Sequence, residues 1–293
     1  MFWQTSRFTI DLTEPQIMGI VNVTPDSFSD GGEHASTASA LQHCEKLILE
    51  GADILDIGGE SSRPGARPLP LQDELARVLP LVREAVKLGV PISVDTYKPQ
   101  VMQSVLDLGA DIINDIRALQ WRADANGGDA ALPPQAVQIV GRHPRCGICL
   151  MHMHREPETM QAMPMAGDLV PQILLFWKLI MQQLRGLEVD LSRIVLDPGI
   201  GFGKTVAQNF DLLARQRELL AGGCPLLVGW SRKSSLAAAT SPSLGTVATL
   251  DIRDRIVPSV AAALLAVERG ASIVRVHDVR ETVQALKVLR AIN

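Results

Sequence analysis

Eight short apolar runs recur along the chain, each followed by a segment of helical spacing, and this serial alternation limits the fold more than any other feature. The runs cover 17–23, 53–59, 91–94, 111–113, 147–151, 193–196, 225–228 and 272–274. They are short, rich in β-branched residues and bounded by polar or glycine-rich stretches, as expected of strands buried on both faces. Between and after them, apolar residues at three- and four-residue intervals predict helices over 37–50, 71–88, 99–108, 134–141, 168–186, 206–221, 255–268 and 279–289. Eight strand-plus-helix units with no second composition regime predict a single-domain α/β chain over 1–293, a (β/α)8 TIM barrel rather than an open sheet. Two longer loops, 118–133 and 237–254, read as mobile insertions.

The first strand ends in an unusual way. Residues 18–32 read MGIVNVTPDSFSDGG, an apolar run spoiled by Asn22 and followed by a loop of Pro, Asp, Ser and Gly around Phe28. A buried amide without a partner costs about 1–3 kcal/mol, so Asn22 is expected to meet a ligand, a metal or a polar neighbour. Other runs end similarly, and in a barrel of this kind all strand C-termini share one face. Asn22, Ser62, Arg63, Asp95, Asn114, Asp115, Asp197, Lys233, Arg275 and His277 therefore become neighbours. A lone strand-end Asp caps a helix as often as it does chemistry; polar residues at nearly every strand end predict a ligand site.

Asp95, Asn114 and Asp197 suit the N–H edge of a flat, guanidine-like heterocycle, because a carboxylate accepts two parallel N–H bonds from such a fork. Arg63, Arg275, His277 and Asn22 suit a phosphate or diphosphate, with Asn22 able to face an Mg²⁺ ion. Lys233 fits either half. The segment DPGIGFGKT at 197–205 has Pro198 where a phosphate loop needs glycine; its glycines are expected to let the backbone approach a flat ligand beside Phe202.

Composition excludes several classes. A net charge of −4 gives no general attraction to nucleic acid or membrane, so anion binding must be local. The stretch 169–181 is too short to span a bilayer and contains Pro171 and Lys178. The N-terminal residues lack an apolar core of signal-peptide length, and a cytoplasmic protein is expected. Cys146 and Cys149 form C-x-x-C inside a predicted strand, not at the helix N-terminus where redox pairs work. His152 and His154 lack an evident third metal ligand.

At these residues the chain resembles dihydropteroate synthase. The resemblance runs through MGIVNVTPDSFSDGG (18–32), DIGGESSRPGA (56–66), SVDTYKP (93–99), INDIRAL (113–119), LMHM (150–153), LDPGIGFGK (196–204), GWSRKS (229–234) and RVHDV (275–279), in the family's order. It implies a barrel transferase of folate biosynthesis, usually a homodimer and the target of sulfonamides. Such an enzyme joins 6-hydroxymethyl-7,8-dihydropterin diphosphate to 4-aminobenzoate, with Mg²⁺, through dissociative loss of diphosphate. It also implies roles: Asp95, Asn114, Asp197 and Lys233 for the pterin; Asn22, Arg63, Arg275 and His277 for diphosphate, with Asn22 also at the metal. Phe28, Ser62, Arg63, Pro64, Phe202 and Ser234 fall to aminobenzoate, and Asp95, Lys233 and Arg275 to catalysis. The chain departs from the family at Ser62, where threonine is common, and after Ser234, where a bulky residue followed by glycine is missing. Folate-dependent methyltransferases and a non-catalytic pterin-binding paralogue share the pterin half of the pattern; the former have no need of the SFSDGG and SRKS segments.

Overall fold

The computed structural model describes residues 1–23, 32–122, 133–240 and 251–292. Strands β3 (Gln16–Asn22), β4 (Ile54–Gly58), β5 (Ile92–Asp95), β6 (Ile112–Asp115), β7 (Gly147–Met151), β8 (Ile194–Asp197), β9 (Leu226–Val228) and β10 (Ala271–Val276) close into one parallel barrel in chain order, β10 returning to β3. Helices α1 (Gly32–Glu50), α2 (Leu71–Ala85), α3 (Pro99–Asp107), α4 (Gln135–Arg142), α5 (Leu169–Arg185), α6 (Val206–Ala214), α9 (Ile256–Glu268) and α10 (Val279–Arg290) surround it. The expected (β/α)8 barrel is therefore present.

Strand alternation sorts the side chains into two cores. One parity of each strand, including Val21, Leu55, Ile57, Ile113, Leu150 and Leu196, packs outward on Val78, Leu81, Val105 and Trp177 of the helices. The other parity, including Met18, Ile54, Ile112, Val195, Leu227 and Ile273, fills the lower barrel. A hairpin of β1 (Phe2–Gln4) and β2 (Thr9–Asp11) seals that lower end with Trp3, Ile10 and Leu12. Trp3 donates its indole N–H to the Arg193 carbonyl at 2.9 Å, and Arg7 forks onto buried Asp111. The hairpin was not anticipated, although 2–10, FWQTSRFTI, carries apolar residues on both sides of a polar turn.

The expected helix over 206–221 is broken. It ends at Ala214 and resumes as the short α7 (Gln216–Leu219), because buried Gln216 turns inward to donate to the carbonyls of Ala266 and Arg269 at the end of α9. The helix expected to reach residue 88 stops at Ala85 in a turn. The expected loop over 237–254 is partly helical: α8 (Ser234–Thr240) occupies its start and a 3-10 turn, Ile252–Arg255, its end. The remainder of that loop, and most of the loop over 118–133, lie outside the described residues.

Candidate active site

The upper barrel is polar where the lower barrel is apolar, and the same parity explains why. On β4, Asp56 shares the inward face with Ile54; on β5, Asp95 follows Ser93; on β6, Asn114 follows Ile112; on β10, Arg275 follows Ile273. Register places Asp56 beside Ser93 and Asp95 beside Asn114. The result is one connected network. Asp56 accepts from Ser93 Oγ at 2.6 Å, Asn114 Nδ2 at 3.1 Å and Arg275 Nε at 2.6 Å, while a second guanidinium nitrogen of Arg275 donates to Asp95 at 2.9 Å. Burial pushes Asp95 up to about 7 against the opposing pull of Arg275. Burial also opposes charge on Arg275, but Asp56 and Asp95 more than offset it and its pKa is raised.

Asp197, at the end of β8, stands on the same mouth and is pushed up to about 6, again mainly by burial. Its Oδ1 accepts the Gly199 N–H at 2.7 Å. Lys233 lies over the Phe202 ring, 4.2 Å from its centroid, and desolvation pulls it down to about 8 against Asp197 and Asp95. A cation thus rests on an aromatic face within electrostatic reach of a carboxylate, a set of groups that suits a flat ligand bearing both donors and acceptors. His277 is half-buried beside the cations Arg232, Arg275, Arg63 and Lys233, and desolvation first, then these charges, drive it down to about 3.

Half-buried Ser62 with exposed Arg63 and Pro64 follow β4, exposed Ser234 opens α8, and half-buried Asn22 ends β3. A cavity of about 390 Å³ opens beside Asp95, between Ser62 and the aromatic pair Tyr97 and Trp121, whose rings lie 5.5 Å apart. The base of that loop is held by Lys98, which bridges Glu60 and Glu74, with Tyr97 donating to Glu60 and Thr96 to Glu74. Phe28 lies outside the described residues.

The loop 197–204 differs from its expected use. Gly199 and Gly203 have left-handed φ of +66° and +68°, and a Cβ on either would strike a carbonyl, of His152 at 1.9 Å or His154 at 2.3 Å. Their smallness lets the loop cross the exit of β7; Gly201 alone of the three faces Lys233. Lys204, buried, points back under the loop and donates to the carbonyls of Gly199, Phe202 and His152. It is a staple, not a phosphate ligand. The His152 ring contacts Lys204 Nζ at 3.1 Å, and among the described residues no three His, Cys, Asp or Glu side chains gather as a metal site.

A family model described as pterin binding enzyme matches residues 18–277. The dihydropteroate synthase of Neisseria meningitidis serogroup B is 45% identical, over 99% of this chain and 97% of its own. The chain belongs to the dihydropteroate synthase family. Among solved structures, the Burkholderia cenocepacia dihydropteroate synthase complexed with 7,8-dihydropteroate is 44% identical at a TM-score of 0.85, covering 99% of this chain and 96% of that one. The Yersinia pestis dihydropteroate synthase with a sulfonamide drug complex is 41% identical at a TM-score of 0.87, covering 100% and 99%.

For a dihydropteroate synthase, two residues needed a different reading. Asp56 was missed as a site residue because it sits in mid-strand, two residues before the strand ends at Gly58 and four before polar Glu60; its signal was a charge inside an otherwise apolar five-residue strand. Asp115, grouped with the mouth, has the opposite parity to Asn114. It is buried outside the barrel and accepts the N–H groups of Arg117 and Leu119, shaping a turn whose Ala118 and Leu119 take left-handed φ. The C-x-x-C pair is inert: Cys146 and Cys149 are both buried, and burial raises both thiols.

Proposed function

We propose that this chain holds the dihydropterin in the barrel mouth through Asp95, Asn114, Asp197 and Lys233, and the diphosphate through Arg63, Arg275, His277 and Asn22. Aminobenzoate enters beside Ser62, Pro64, Phe202 and Ser234; Phe28, which the resemblance also assigns to it, lies outside the described residues. The observation that carries this reading is the junction at Arg275, whose guanidinium spans Asp56 and Asp95 while standing among the cations around His277. Bond breaking to diphosphate leaves positive charge on the exocyclic carbon, delocalised into the pterin ring, and the fixed carboxylate of Asp95 opposes that charge. Arg275, Arg63 and the His277 ring face the departing negative charge. The attacking aromatic amine is already neutral at pH 7, and the acidic N-alkylanilinium formed when it bonds to the carbon gives its proton to water or the departing diphosphate, so the reaction needs no strong base.

Asn22 offers one hard oxygen donor and no carboxylate cluster lies near it among the described residues, so the residues fit an Mg²⁺ ion carried on the diphosphate rather than one held by the protein alone. Bound there, the ion would neutralise leaving-group charge. The family resemblance also implies a homodimer in the cytoplasm. A row of exposed apolar residues on α9, Val257, Ala261 and Leu265, supports the dimer as the surface a second copy would cover, and sedimentation as a monomer would remove that assignment. No helix among the described residues is long and apolar enough to cross a membrane.

The deciding assay follows diphosphate release and dihydropteroate formation together, from dihydropterin diphosphate, 4-aminobenzoate and Mg²⁺. Equal amounts are expected; binding without product would mark a non-catalytic paralogue. Lys233→Ala and Asp197→Asn should each lower turnover at least roughly tenfold with the fold intact. Turnover at the wild-type level would remove that residue from the pterin contact.

The affinity for a pterin should also depend on pH. In the unliganded barrel Asp197 keeps its proton up to about pH 6. A ligand that donates N–H groups needs the ionised form. With Asp95 at about 7 and Lys233 at about 8 among the same contacts, affinity should be greatest near pH 7 to 8 and fall below that by up to about tenfold per pH unit for each carboxylate that becomes protonated. A flat titration of Kd between pH 5 and 7 would contradict the contact.

A further inference from the structure

We propose that Ser231 is a positioning residue that fixes the tautomer of His277, so that the ring presents Nε2–H as a neutral donor to the diphosphate. The inference rests on the diphosphate reading of this half of the site. Its structural basis is the pairing of β9 with β10, in which Val228 stands beside Val274. Continuing that register brings Ser231, three residues on, level with His277. The Ser231 hydroxyl oxygen lies 3.1 Å from the His277 backbone nitrogen and 2.9 Å from its Nδ1.

The proton count follows from these two contacts. A backbone N–H can only donate, so Ser231 Oγ accepts there. If Nδ1 also carried a proton, Oγ would accept twice from the same residue and its own O–H, on a buried side chain, would face no acceptor among the described residues. The arrangement that satisfies every group has Ser231 donating to a bare Nδ1, and a neutral ring then carries its proton on Nε2. The ring is kept neutral by desolvation and by the cations around it. No described residue takes a hydrogen bond from Nε2.

The turn that holds Ser231 is itself clamped. Arg232 takes a left-handed φ of +59°, donates its backbone N–H to Ser259 Oγ at 2.9 Å and forks onto Asp278 at 2.6 and 3.1 Å. Arg63 and Arg275 bring charge to an anion, but a further cation is costly in that cluster; a neutral N–H of fixed direction adds a bond without adding repulsion.

The test is ¹⁵N NMR of the histidine-labelled full chain, with the His277 signal assigned by its loss in His277→Gln, combined with calorimetric titration of inorganic diphosphate. The wild type should show a bare Nδ1 and a protonated Nε2. Ser231→Ala should mix the two tautomers and weaken diphosphate binding roughly fivefold to tenfold, with Ser231→Thr restoring both. A protonated Nδ1 in the wild type would overturn the proposal even if no variant folds. Unchanged diphosphate affinity in Ser231→Ala, despite altered tautomers, would overturn the positioning role. Absence of diphosphate binding to a wild type with the stated tautomer would instead sink the diphosphate reading, and with it the use assigned to Nε2.

Discussion

Replacing Asp56 should cost more activity than replacing any single residue at the strand ends. Asp56 is fully buried and has three donors converging on it, from Ser93, Asn114 and Arg275. In Asp56→Ala, the Arg275 charge loses its inner carboxylate and Asn114 loses its anchor. Breaking a buried ion pair from one side costs about 3–5 kcal/mol, so stability should fall by an amount of that order. Asp56→Asn separates charge from shape. The amide can present oxygen where Arg275 and Asn114 donate and turn its NH₂ toward Ser93 Oγ, which can accept instead. The fold should survive, but Arg275 then leans on Asp95 alone, occupying the carboxylate the pterin needs. We expect kcat/KM to drop roughly a hundredfold, the equivalent of about 2–3 kcal/mol for a lost charge-assisted contact, most of it through weaker pterin binding. Steady-state kinetics with thermal melts on both variants checks this. An Asn variant with wild-type kcat/KM would mean that Asp56 contributes hydrogen bonds alone and that Arg275 needs no second carboxylate.

That network also marks how far the sequence could be read. The eight strands were legible because each is a short apolar run, and their polar ends were legible because a barrel gathers strand C-termini on one face. What the runs do not display is parity at a strand end. Asn114 and Asp115 are adjacent in sequence and opposite in space, and the alternation that separates them becomes visible once Ile112 is known to face inward. Asp56 was hidden for the complementary reason, lying below the rim in a strand of five buried residues. Lys204 reads as a loop cation by type, and its inward turn depends on three carbonyls contributed by two separate chain segments, which no local pattern encodes. The break after Ala214 is similar, since it serves contacts with α9 some fifty residues away. Local periodicity gives the elements; tertiary hydrogen bonding decides where they stop.

The loop over 197–204 supplies the other large effect, Gly199→Ala. Two costs coincide at this position. The backbone is left-handed, and an added Cβ would sit 1.9 Å from the His152 carbonyl oxygen, backbone that cannot swing aside like a side chain. Relief requires the loop to lift from β7. Lifting it removes the Gly199 N–H from Asp197 and separates the two carbonyls, of Gly199 and His152, that Lys204 holds together. A buried ammonium would then lose partners it cannot replace with water. We expect a loss of stability of about 3 kcal/mol or more and at least a tenfold weaker pterin affinity, because Asp197 is no longer held in register. Gly109→Ala is the control. It has a left-handed φ of +98° with nothing within 4 Å of the added Cβ, so it carries backbone strain without collision and should cost about 1–2 kcal/mol with pterin affinity unchanged. Denaturant unfolding and pterin titration on the two variants separate the effects. Equal stability losses with pterin affinity intact in both would show that the close crossing of the loop over β7 does not hold Asp197 in place.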